Sequence, residues 1–63
     1  MSVQLESRHY FRAGDTVEHR NGETGRVEEG FALYATVVWA DGRREEIEQF
    51  DPIVVVIERA ETA

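Results

Sequence analysis

The chain has 63 residues, no cysteine, two histidines, and thirteen acidic against seven basic side chains, for a net charge of −6. That length holds one small domain with a net stability of about 3–5 kcal/mol, and the lack of cysteine excludes disulfides and thiolate metal sites as staples. The charge repels a phosphate backbone, so non-specific nucleic-acid binding is disfavoured.

Residues 1–11 (MSVQLESRHYF) read as an extended N-terminal segment, flexible or packed on the last strand, with Val3 and Leu5 on one side. A domain over residues 12–59 follows, built of short β-branched runs punctuated by glycine, the pattern of a small all-β fold. The first run, residues 15–20 (DTVEHR), turns Val17 inward and stops at Asn21-Gly22. The second, residues 24–29 (TGRVEE), turns Val27 inward; Gly25 marks a bulge or a close backbone approach. The third, residues 33–40 (LYATVVWA), sets Leu33, Ala35, Val37 and Trp39 on one face and Tyr34, Thr36 and Val38 on the other.

Asp41-Gly42 is a preferred pair for a two-residue type I′ turn. Such a turn pairs Ala40 with Arg43, Trp39 with Arg44, Val38 with Glu45 and Thr36 with Ile47, and lays the Arg44 guanidinium beside the Trp39 indole. Phe50-Asp51-Pro52 then makes a tight turn or a single 3₁₀ turn. The last strand, residues 53–58 (IVVVIE), is an unbroken apolar run, which predicts that both its faces are shielded, by residues 1–11 or by another copy of the chain. Trp39, Ile47 and Phe50 are predicted core, and the tail from Arg59 is predicted frayed, with residues 60–63 outside the domain. Five such strands, with a hairpin and a turn before the last, predict a five-stranded SH3-like barrel.

Catalytic groupings are sparse. His19 and Glu23 across a turn supply two ligands where zinc needs three or four, and His9 lies in another segment. No GxSxG, cysteine nucleophile or phosphate loop occurs. A non-enzymatic protein without cofactor or metal is expected. No apolar stretch reaches the ~20 residues that span a bilayer, and MSVQLESRHY has no charged-then-apolar leader pattern; a cytoplasmic location is expected.

The run Arg43-Arg44-Glu45-Glu46 is ordinarily a solvated strand that balances its own charge. Its functional reading is a patch in which Arg43 and Arg44, at a hairpin tip, join Trp39, Tyr34 and Phe31, a composition enriched at binding hot spots. Those five residues are the predicted binding site, with another protein as partner, and an exposed sheet edge is the other surface expected to bind it. The acidic residues Glu18, Glu23, Glu28, Glu29, Glu45, Glu46 and Glu48 either face a basic partner or keep sheet edges from pairing. Self-association through IVVVI is the alternative, with nucleic-acid binding, which would weaken steeply with salt, as a further reading.

The stretches GDTVEHRNGETGRV (residues 14–27) and VVWADGRREE (residues 37–46) resemble the Tudor/KOW group of SH3-like barrels. The former is similar to the Tudor-like C-terminal module of bacterial repair helicases and to CarD-type RNA-polymerase interaction domains. The latter is similar to small bacterial SH3-like proteins that carry a Trp-x-Asp-Gly hairpin. The resemblance implies a small barrel that binds a protein in a transcription or repair setting. Eukaryotic Tudor domains hold methylated lysine or arginine in an aromatic cage; here Trp39 offers one wall, and His19, Arg20 and Asn21 offer no aromatic residue for another. The type II dihydrofolate reductases share a Gly-Asp-x-Val start, but their Val-Gln-Ile-Tyr strand has no counterpart here.

Overall fold

The computed structural model describes residues 7–60. Five strands follow one another along the chain: β1 (Thr16–His19), β2 (Thr24–Gly30), β3 (Tyr34–Trp39), β4 (Arg44–Glu48) and β5 (Val54–Glu58). They form one antiparallel sheet in the order β4-β3-β2-β1-β5, and no helix occurs among the described residues. Strand alternation puts Val17, Val27, Ala35, Val37, Trp39, Ile47, Val54 and Val56 on the inner face, where they pack with Phe11 as a single core. Burying each of the larger side chains stabilises the fold by roughly 1.5–3 kcal/mol.

Two irregularities curl the sheet over this core. Between β2 and β3 the pairing steps from Val27↔Val37 to Glu29↔Thr36, which leaves Glu28 as an extra residue. Between β1 and β5 it steps from Val17↔Val56 to Thr16↔Glu58, which leaves Ile57 extra. Each extra residue bends its strand and increases the local twist. Gly25 is not the bulge: it pairs with Trp39, and a Cβ there would lie 2.9 Å from the indole Cε3.

The β3–β4 hairpin departs from the expected type I′ turn. Gly42 N–H donates to the Trp39 carbonyl at 2.8 Å and Trp39 N–H to the Arg43 carbonyl at 2.8 Å, so the loop holds three residues, Ala40, Asp41 and Gly42. Gly42 has φ of 92° while Asp41 stays at negative φ, the signature of a type I turn followed by a left-handed glycine. The β1–β2 loop is built alike, with Gly22 N–H on the His19 carbonyl at 2.8 Å and φ of 95° at Gly22. The extra loop residue shifts the ladder by one, to Val38↔Arg44, Val37↔Glu45 and Ala35↔Ile47. A one-residue slip exchanges the two faces. Arg44 therefore stands on the outer face, and Glu45 takes the expected place beside Trp39, accepting the indole N–H at 2.8 Å.

The sheet ladder leaves β4 and β5 as its two edges. Residues 8–11 bridge them at one end. Val56 N–H donates to the Arg8 carbonyl at 2.7 Å, the Arg8 guanidinium donates to the Val56 carbonyl at 3.1 Å, and His9 Nδ1 donates to the Val54 carbonyl at 2.7 Å. Beyond β4, Phe50 N–H donates to the His9 carbonyl at 2.7 Å. The buried Gln49 amide accepts from Phe11 N–H at 2.7 Å and donates to the carbonyls of Phe11 and Phe31 at 2.9 and 2.8 Å.

Two expectations are corrected here, and of the tail expected to fray residues 61–63 lie outside the described residues. Arg59 and Ala60 are not frayed: the Arg59 guanidinium binds the Asp15 carboxylate at 2.8 Å, the Tyr10 carbonyl at 2.7 Å and the Ser7 carbonyl, and Ala60 N–H donates to Asp15 at 2.8 Å. Among the described residues Val54 and Val56 of β5 are buried and Ile57 is 46% exposed; Val3 and Leu5, expected to cover the second face, lie outside the described residues. Phe50 is 57% exposed, because Gln49 takes the inner position after Ile47 and Phe50 adopts φ of 64°.

Candidate functional site

The five residues expected to form one patch fall at two ends of the molecule. Val38↔Arg44 and Tyr34↔Glu48 are the terminal pairs of the β3–β4 ladder, about 13 Å apart at ~3.3 Å per residue.

At the hairpin end, Trp39 is 2% exposed, with its indole edge-on to the His19 ring at 5.8 Å and its N–H on Glu45. Arg43 binds Asp41 at 2.7 Å and Glu23 at 2.5 Å, and Ala40 N–H donates to the Thr24 carbonyl at 2.9 Å, so the two hairpin loops are tied to each other. The Arg43 hydrogen bond, helped by Asn21, holds the Glu23 carboxyl below its ordinary range. The Arg43 backbone N–H, then its side chain, does the same for Asp41, and these two carboxylates raise the Arg43 guanidinium in turn. Arg44 pairs with Glu28 at 2.9 Å. His19 Nδ1 accepts the Asn21 N–H at 3.1 Å. At this end the indole belongs to the core and both arginines are engaged with carboxylates.

The other end carries aromatic surface. Phe31 and Tyr34 stack at 4.8 Å with rings tilted by 33°, and Tyr10 meets Phe50 at 5.5 Å. All four are exposed, and Leu33 beside them is 81% exposed. Gln49 joins the two pairs: its side chain holds the Phe31 carbonyl, its N–H donates to the Leu33 carbonyl at 3.0 Å, and Phe50 follows it in the chain. A shallow concavity beside Tyr10 and Phe50 is completed by Ser7, Arg12 and Arg59.

No family model, curated protein or solved structure matches the chain. What the surface can bind is therefore decided by the geometry of these two ends.

Sequence reasoning expected Phe31 and Tyr34 beside Trp39, Arg43 and Arg44 at the hairpin tip, and it did not include Tyr10, Leu33 or Phe50. Leu33 lies in the β2–β3 connection, one residue before β3 begins at Tyr34, so the strand alternation that would turn it inward does not reach it. Phe50 had no local signal, because its exposure depends on Gln49 finding the backbone of Phe11 across the fold.

The outer face of β2–β3–β4 leads into this end. Glu29, Thr36 and Glu46 lie in one cross-strand row, and Glu48 stands opposite Tyr34. Among the described residues Glu29, Glu46 and Glu48 form no ion pair.

Proposed function

We propose that the protein is a non-enzymatic SH3-like interaction module of the Tudor/KOW kind that engages another protein through Tyr10, Phe31, Leu33, Tyr34 and Phe50. The strand order β4-β3-β2-β1-β5, a meander whose last strand pairs with the first, supports the SH3-like reading. Phe50 carries the choice of surface. It is a bulky side chain held at φ of 64° and more than half exposed, a conformation that costs of order 1–3 kcal/mol. The ring contact it makes in return is with Tyr10, itself exposed. In a domain with so little net stability, an aromatic held outward against its backbone preference is the mark of a binding anchor.

The test compares partner capture by the wild type, Phe50→Gly, the double variant Phe31→Ala/Tyr34→Ala, and Arg43→Ala/Arg44→Ala at the far end. Loss of captured protein is expected for the first two variants and retention for the arginine pair, with circular dichroism reporting an intact sheet in each. Equal recovery by all of them would remove the aromatic end from the account.

A further inference from the structure

We infer that the partner segment adds as a strand along the outer edge of β4 and that it is cationic, with lysine or arginine at alternate positions. This rests on the reading of the protein as an interaction module and names the chemistry of what it takes.

The hydrogen-bond phase of the hairpin identifies the open groups. Trp39 N–H donates to Arg43 and Gln49 N–H donates to Leu33, so the odd-numbered residues of β4 bond to β3. The N–H and C=O groups of Arg44, Glu46 and Glu48 then point away from the sheet, and among the described residues β4 pairs with β3 only. The other edge is treated differently, because Arg8 occupies β5 through both polar groups of Val56. One edge is capped and one is left as a template.

Charge selects the occupant. The side chains that flank an added strand on the outer face are Arg44, Glu46 and Glu48, of which Arg44 is already paired with Glu28. Partner side chains on that face come within about 4.5–5.5 Å of their neighbours' Cβ atoms. Lysine or arginine there meets Glu46 and Glu48, with Glu29 two strands further in along the same cross-strand row. The net charge of −6 steers such a segment toward the protein. Another copy of the chain fits poorly, since antiparallel pairing of two β4 edges about Glu46 sets that carboxylate against its own equivalent.

The experiment uses the full chain and an octapeptide of alternating lysine and valine, with its glutamate–valine counterpart as control, read by amide hydrogen exchange. The amides of Arg44, Glu46 and Glu48 should slow by about tenfold or more with the basic peptide, while those of Glu45 and Ile47, already bonded to β3, stay unchanged. N-methylation of the peptide's sheet-facing amides should abolish the protection, and Glu46→Lys/Glu48→Lys should transfer it to the acidic peptide. Binding without protection of those three amides, or no binding, overturns the proposal. If Phe50→Gly still abolishes partner capture in that event, the aromatic docking end stands and only the added strand falls.

Discussion

Gln49 occupies a position that strand alternation gives to an apolar side chain, and its amide satisfies the backbone of Phe11 and Phe31 there. Gln49→Leu fills the same space but leaves the Phe11 N–H and C=O without partners, at about 1–3 kcal/mol for each buried group. We expect most of the stability to be lost, read as a fall in the denaturant midpoint. Phe50 gives the opposite case. Glycine tolerates φ of 64°, so Phe50→Gly should unfold at an equal or higher temperature, by up to about 1 kcal/mol, whereas Phe50→Ala keeps the strain, loses the Tyr10 contact and should be less stable than the wild type. The order Gly above Ala is the readout; the reverse order would mean that the backbone carries no strain. Neither residue is legible in the sequence, because a buried amide and an outward phenylalanine are specified by contacts some 38 residues away in the chain.

At the scale of the elements, the two hairpins share one design: a type I turn, a left-handed glycine, and an Asn or Asp side chain that accepts the N–H two residues on, at 2.9 Å in both. Gly42→Ala must hold a Cβ at φ of 92° and should cost about 1–2 kcal/mol although nothing crowds the site. The Arg43 cluster between the loops adds a pH signature. Glu23 and Asp41 titrate below their ordinary values when folded, so their contribution is present above the unfolded carboxylate range, near pH 4, and is lost as pH falls through the lowered values. The difference in melting temperature between wild type and Arg43→Gln should therefore be present at neutral pH, vanish in strong acid, and shrink with salt. A difference that persists in acid would assign Arg43 a packing role instead. Asp-Gly and Asn-Gly are equally compatible with two- and three-residue loops. Ile47 decides between them, because only the longer loop sets it opposite Ala35 in the core; the shorter one would leave it on the outer face beside Thr36.

For the whole molecule, the all-β class was legible because each strand is bounded by glycine or proline and turns a valine or isoleucine inward. What the local pattern does not contain is the role of residues 8–11, which cap the edge of β5 and reach the end of β4 through backbone and side-chain hydrogen bonds rather than through any periodic motif. A chain starting at residue 10 loses the Arg8 cap and keeps Phe11, so the β5 edge and Ile57 become available together. Sedimentation should then show stronger concentration-dependent association than the full chain. A monodisperse truncated form would mean that the cap protects nothing.

Arg59 draws Ser7, Tyr10 and Asp15 to itself, so the two ends of the described chain meet at one guanidinium. The covalent order of the strands is thus separable from their spatial order. A short linker joining the ends, with new termini opened at Asn21–Gly22 where an added Cβ would touch nothing, gives a circular permutant running β2-β3-β4-β5-β1 that keeps every strand neighbour. In that permutant the β1–β5 pairing becomes local while the β1–β2 pairing becomes the long-range closure, so the refolding rate should change little.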